Sequence, residues 1–142
     1  MQNSNVELDE VIGPVEDLND LLAVCIPTYN RPDFIKDQVE KIGPLLKKYN
    51  ISIYVSDNSE NLETFDACIE LKKKYNLEYH KNNQNIGDKN FLKAISYPVS
   101  VYRWIISDSI IFDQGNLQKI IKICKTYKYD YILLNSGRVN IH

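Results

Sequence analysis

Four short polar stretches hold most of the residues that could do chemistry: Pro27-Thr28-Tyr29-Asn30, Ser56-Asp57-Asn58-Ser59, Asn85-Ile86-Gly87-Asp88-Lys89-Asn90 and Ser107-Asp108-Ser109. Between them they carry three carboxylates (Asp57, Asp88 and Asp108) and one aromatic ring (Tyr29). Such a set suits a nucleotide. An aromatic ring can stack on a base, a carboxylate can accept from a base N–H or a ribose hydroxyl, and a further carboxylate can hold a hard divalent cation on phosphates. Each stretch also has an ordinary structural reading: Thr28 and Asn30 as turn and helix-cap residues, Asp57 in an Asx turn with Asn58, and Asp88 as a first-turn helix charge. The conjunction of the four carries the signal.

The elements around these stretches explain how they could meet. Leu21 to Ile26 is an apolar β-run that feeds Pro27-Thr28-Tyr29-Asn30, and Arg31-Pro32 then opens a helical pattern with Ile35, Val39, Ile42 and Leu46 on one face. The Gly43-Pro44 pair is expected to kink or divide that helix. Ile51 to Val55 repeats the strand-then-loop grammar, followed by a helix over Glu63 to Tyr75 with Phe65, Cys68 and Ile69 inward. A short strand, Leu77 to His80, leads to the polar loop 81–85, and the helix after Gly87 presents Phe91, Leu92 and Ile95 as its apolar face. Val101 to Ile106 is the next strand, ending in Ser107-Asp108-Ser109. A helix with Leu117, Ile120, Ile121 and Cys124 follows, with Asp113 placed to cap it, and the last strand is about Tyr131 to Leu134. Strands alternating with helices predict an α/β fold, a Rossmann-like three-layer sandwich with a mainly parallel sheet and helices on both faces. In such sheets ligands bind outside the carboxyl ends of the strands, where all four stretches would lie.

A 142-residue chain with 44% hydrophobic and 25% charged residues can bury one core. Residues 1–20 are acidic and polar, broken by Gly13-Pro14, and read as an arm ahead of a domain over 21–142. The formal charge of −2 supplies no field for nucleic acid, and Lys72-Lys73-Lys74 reads as a solvated helix face. No apolar run reaches transmembrane length and no signal-peptide pattern opens the chain, so the expected setting is cytoplasmic, with the inner face of a membrane reachable only through parts outside this segment. Cys25, Cys68 and Cys124 are far apart in apolar patterns and read as buried thiols. The two histidines, His80 and His142, leave little material for zinc or a His-based triad. Neither a G-x-G-x-x-G nor a G-K-[ST] phosphate loop is present, which removes dinucleotide dehydrogenases and P-loop enzymes.

With these motifs in this order, Leu21 to Leu134 resembles the nucleotide-binding half of a family 2, GT-A type glycosyltransferase. IPTYNRP is similar to that family's opening strand and loop, VSDNSEN to its second motif, NIGDKNFLKAI to its N-x-G-x-x-x-N segment, and WIISDSI lies where the family has its DxD-type motif. The resemblance implies a nucleotide site made of Pro27, Thr28, Tyr29, Arg31, Asp57, Asn58, Asp88, Lys89, Ser107 and Asp108. Within it, Thr28 and Tyr29 would flank the base, Asp57 would hydrogen-bond it, and Asp88 with Lys89 would lie near the nucleotide or its diphosphate. Asp108 would approach the ribose or sugar and a metal, Mn2+ or Mg2+.

Two departures bear on mechanism. The carboxylate the family places after the first one is replaced here by Ser109 and Ile110, which weakens the expected metal site. No residue can be nominated as the general base, because the family's acceptor-binding half follows the DxD region and the chain ends at His142. The implied activity is inverting transfer of a sugar from a nucleotide-diphosphate donor, UDP-sugar by default, to a hydroxyl of a glycan or lipid-linked acceptor in bacterial surface-glycan synthesis. The alternative is a non-catalytic or truncated nucleotide-sugar-binding module, and a third class is an α/β interaction domain whose loop carboxylates serve only caps and turns.

Overall fold

The computed structural model describes residues 13–135 and 138–141. Its main sheet has four strands, β1 (Leu22–Thr28), β2 (Ser52–Asp57), β3 (Leu77–Lys81) and β4 (Tyr102–Ile105), in the order β3-β2-β1-β4. All three pairings are parallel, with Thr28 opposite Asp57 and Cys25 opposite Ile105 in register. The chain therefore steps outward from β1 through β3, then returns to add β4 on the other side of β1. That reversal opens a crevice between the carboxyl ends of β1 and β4, the place where open α/β sheets bind ligands.

Helix α1 (Pro32–Lys47) connects β1 to β2, α2 (Glu63–Lys72) connects β2 to β3, and α3 (Lys89–Ser96) carries the return to β4. Every residue of β1 is buried, as a central strand covered on both faces requires. Leu22, Val24 and Ile26 of β1 share one core with Ile35, Val39, Ile42 and Leu46 of α1, Cys68 and Leu71 of α2, and Leu117, Ile120, Ile121 and Cys124 of α4 (Gln114–Cys124). Burying each large aliphatic side chain contributes about 1.5–3 kcal/mol. The intervening β1 positions, Ala23 and Cys25, face the thinner layer under α3, where only Asn90 and Ala94 of that helix are buried. Leu18, just before β1, also joins the core, and the backbone N–H groups of Val15 and Leu18 donate to the carbonyls of Lys48 and Tyr49 at 2.7 and 2.8 Å.

Several local expectations change. Gly43-Pro44 does not divide α1, which runs unbroken through Pro44. Gly43 is there because the ring of Tyr75 lies against it: a Cβ would stand 2.7 Å from Tyr75 Cδ1. On α2, Cys68 is buried as expected, but Phe65 and Ile69 are more than one-third exposed; Phe65 instead packs edge-on against Tyr79 with ring centroids 5.5 Å apart. The apolar side chains Phe91 and Leu92 of α3 point outward, because the helix approaches the sheet through its small and polar side. Strand β2 extends two residues further than the apolar run predicts, taking Ser56 and Asp57 into the ladder. The last strand, β5 (Ile132–Asn135), does not join the main sheet but pairs antiparallel with β6 (Arg138–Ile141), an element absent from the sequence expectation. Asp113 caps α4 as expected, accepting from the Asn116 N–H at 2.8 Å, and all three cysteines are free and buried. Glu7, Asp9, Glu10 and His142 lie outside the described residues.

Candidate functional site

Parallel pairing brings the four polar stretches to one edge, where a cleft of about 440 Å³ opens over the switch between β1 and β4. It is lined by Pro27, Thr28, Tyr29, Arg31, Asn58, Asn85, Gly87, Asp88, Asn90, Phe91, Ser107 and Asp108. Eight of the ten residues expected at a nucleotide site are thus in one place; Asp57 and Lys89 are not among the lining residues.

Asp108 is the centre of the charged wall. Its side chain is 6% exposed, and both oxygens are engaged: Oδ2 accepts from Thr28 Oγ1 at 2.8 Å and Oδ1 faces Arg31 Nη1 at 3.0 Å. Arg31 ends the β1 loop immediately before α1, and its guanidinium also lies 3.7 Å from the centre of the Phe34 ring. The turn that presents Asp108 is tied from below by the buried Gln38 of α1. Its Nε2 donates to the carbonyls of Ser107 and Ile110, both at 2.7 Å, while the Ile110 N–H donates to the Ser107 carbonyl at 3.2 Å. A packed helix thereby fixes the position of a loop carboxylate.

An amide cluster holds the opposite wall. Asn90 Oδ1 accepts from Ser56 Oγ at 2.6 Å and from Asn82 Nδ2 at 2.9 Å, while Asn90 Nδ2 donates to the Ser56 carbonyl at 2.9 Å. Asn58 Oδ1 accepts from Asn82 Nδ2 at 2.7 Å, and Asn58 Nδ2 donates to the Gly87 carbonyl at 3.3 Å. Gly87 turns the chain into α3 with φ of +61°, a left-handed conformation that glycine adopts without a Cβ penalty. Asp88 follows at the cap position of α3 without a side-chain capping bond and, with Lys89, is exposed.

The β1 and β2 loops are stitched together. Asn30, at φ of +51°, donates its N–H to Ser59 Oγ at 2.8 Å and accepts from the Glu60 N–H at 3.2 Å. Tyr29 is 42% exposed, and its hydroxyl donates to Glu60 Oε1 at 3.1 Å, a bond that raises the phenol above its ordinary value.

Asp57 behaves differently from the other carboxylates. It is fully buried; Oδ1 accepts from the Ser59 N–H at 2.8 Å in an Asx turn, and Oδ2 accepts from the Tyr79 hydroxyl. Burial first, and then the bond to Asp57, push the Tyr79 phenol far above the usual tyrosine range. Asn82, Asn85, Asn90, Phe91 and Gln38 were not marked by the sequence reading as site residues. Asn85 and Asn90 belong to the quoted NIGDKN segment, so position could have found them; Gln38 looks like any polar residue on an amphipathic helix.

Among the described residues no three His, Cys, Asp or Glu side chains converge as a metal group. A divalent cation on Asp108 would have to share its oxygens with Thr28 and displace a guanidinium already 3.0 Å away, with Ser109 and Ile110 offering no second negative charge. As arranged, the residues do not fit a bound metal. Among the described residues no helix is long and apolar enough to cross a membrane.

Comparison with known proteins gives this geometry a family context. No family model matches the chain. It is 31% identical over 112 residues to the abequosyltransferase RfbV of Salmonella typhimurium, a match that covers 75% of this chain and 32% of that protein. The mannosyltransferase PcManGT of Pyrobaculum calidifontis, solved with GDP-Man and Mn2+, superposes with a TM-score of 0.64 at 15% identity over 77% of this chain and 34% of its own. S. aureus TarS, solved with UDP-GlcNAc, gives a TM-score of 0.64 at 17% identity over 82% of this chain and 36% of its own. The chain thus spans about a third of the length of these relatives. The chain is thus related in sequence to part of one glycosyltransferase and shares an α/β, Rossmann-like fold with two other solved proteins.

Proposed function

We propose that residues 21–142 form the donor-nucleotide part of a glycosyltransferase that moves a sugar from a nucleoside-diphosphate donor, UDP-sugar by default, to an acceptor hydroxyl with inversion. The supporting observation is the cleft at the β1/β4 switch, where an exposed aromatic ring, a held carboxylate and a guanidinium face one another within a domain related to a glycosyltransferase. In this reading Tyr29 stacks on the base, Thr28 and Pro27 shape its seat, and Asp108 with Ser107 approaches the ribose or sugar. Asn58 and Asp88 border the same cleft, and Lys89 stands just outside it. Asp57 acts by holding the Ser59 turn and Tyr79 in place rather than by touching the base.

The acceptor oxygen would attack the anomeric carbon as the bond to the diphosphate breaks, and positive groups aimed at the leaving phosphates would stabilise the charge developing there. A general base takes the proton from the acceptor hydroxyl as it attacks. Glycan or lipid-linked acceptors in bacterial surface polysaccharide assembly, on the cytoplasmic side of a membrane, fit the kinship with an abequosyltransferase. The test is calorimetric titration of the chain with UDP, GDP, CDP and dTDP. Saturable binding of one of them, weakened by Tyr29→Ala, supports the reading; no binding by any of the four refutes it.

A further inference from the structure

Resting on that donor-site reading, we infer that Arg31 supplies the positive charge for the donor's diphosphate, and that Asp108 holds this guanidinium in place rather than serving as a metal ligand. Three observations carry it. First, both Asp108 oxygens are already satisfied, one by Thr28 Oγ1 at 2.8 Å and one by Arg31 Nη1 at 3.0 Å, so the guanidinium stands where a cation would bind the carboxylate. A divalent ion placed there would meet a like charge at contact distance. Second, the positions after Asp108 are Ser109 and Ile110, and among the described residues no three His, Cys, Asp or Glu side chains come together as a metal-holding group.

Third, Arg31 is built to receive an anion. A guanidinium has five N–H donors, and the Asp108 contact uses only part of one edge. The guanidinium carbon stands 3.7 Å over the Phe34 ring, a cation–π contact that restrains the group, and the side chain remains 43% exposed while lining the cleft. A planar fork held on one side and open on the other can donate two parallel bonds to phosphate oxygens, which an ammonium cannot do.

The experiment compares nucleosides with their diphosphates (uridine, guanosine, cytidine and thymidine against UDP, GDP, CDP and dTDP), each in EDTA and each with Mn2+ or Mg2+. With the parent chain in EDTA, the favoured diphosphate should bind about tenfold or more tightly than its nucleoside, and added metal should change that affinity by less than about threefold. Arg31→Gln should remove the diphosphate advantage while leaving nucleoside affinity near the parent's, and Arg31→Lys, which keeps the ion pair with Asp108, should retain only part of it. Thermal unfolding of both variants reports whether the fold is kept, and the lysine variant keeps the test valid should the glutamine variant unfold. A threefold or larger gain on adding metal that disappears in Asp108→Asn overturns the inference. Equal binding of nucleoside and diphosphate overturns it too while leaving the base site standing. Absence of any nucleoside or nucleotide binding refutes the donor site itself.

Discussion

Asn90 is the residue whose loss should most clearly reveal what holds the cleft open. Its amide accepts from Ser56 Oγ and Asn82 Nδ2 at 2.6 and 2.9 Å and donates to the Ser56 carbonyl at 2.9 Å, and the residue is 4% exposed. Asn90→Ala removes these three bonds and the longer one from Asn90 Nδ2 to the Thr28 carbonyl at 3.5 Å. The Ser56 hydroxyl is left without its partner, the Ser56 carbonyl loses a donor, and Asn82 keeps only its bond to Asn58. Buried groups stripped of partners cost about 1–3 kcal/mol each. With partial relief at Asn82, the expected loss is about 3 kcal/mol. At about 2.1 cal/mol/K of unfolding entropy per residue, that loss lowers the melting temperature by about 10 °C.

Asn90→Asp sharpens the test because it keeps the shape and changes only the donor. At pH 7 a carboxylate there would set an oxygen against the Ser56 carbonyl in place of an N–H, and would bury a charge. This variant should therefore be at least as unstable as the alanine one. Burial raises the introduced carboxyl's folded pKa above its unfolded value, so the neutral form is favoured in the folded state and stability is regained as pH falls through that folded pKa. The protonated carboxyl could again donate to the Ser56 carbonyl. Urea unfolding at pH 7 and pH 5 measures both effects. A loss under about 1 kcal/mol for Asn90→Ala, or an aspartate variant as stable as the parent at pH 7, would refute the view that this amide cluster is a working strut.

Gly43→Ala should destabilise despite alanine's helix preference of about 1 kcal/mol. The new Cβ would stand 2.7 Å from a Tyr75 ring whose hydroxyl is tethered to Glu40 Oε2 at 3.0 Å, so overpacking of about 1–3 kcal/mol outweighs the gain; a raised urea midpoint would contradict this. Alkaline pH should weaken the fold, because burial pushes the thiols of Cys25 and Cys68 up to about 12 and that of Cys124 up to about 11. Their folded pKa values exceed the unfolded ones, so each contributes stability that is full below about pH 9 and falls by about 1.4 kcal/mol per pH unit above it. Urea midpoints at pH 7, 9 and 10 check this, and a midpoint at pH 10 equal to that at pH 7 would show the thiols are not buried as described.

The legible part of the fold was the part written in periodicity. Seven consecutive buried positions in β1 and the helical spacing of Ile35, Val39, Ile42 and Leu46 are local patterns that survive folding unchanged. The outward face of α3 was not legible, because Phe91 and Leu92 have the hydrophobicity of core residues and nothing local shows that the sheet beneath them offers Ala23 and Cys25, against which only a small-faced helix fits. Tyr75 against Gly43 was likewise invisible, since a glycine-proline pair reads as a break until the aromatic from the next helix is known to fill the gap. Strand β5 was located within a residue, yet its partner was not, because pairing depends on what lies beside it rather than on its own composition.

The two carboxylates that look most alike in sequence show why a site can be half read. Asp57 and Asp108 both follow a hydrophobic run and precede a small polar residue, so both read as loop acids. Asp108 does lie beyond its strand, since β4 ends at Ile105, and the turn tied by Gln38 is free to aim it at Thr28 and Arg31. Strand β2 continues through Asp57, paired with Thr28 on one side and Lys81 on the other. Once inside the ladder, its direction is set by alternation: Ser56 turns toward Asn90 of α3, so Asp57 must turn the opposite way, where Tyr79 and the Ser59 turn receive it. Two extra residues of strand thus bury Asp57 with both oxygens bonded inside the fold, while Asp108 is the buried acid beside the guanidinium in the cleft.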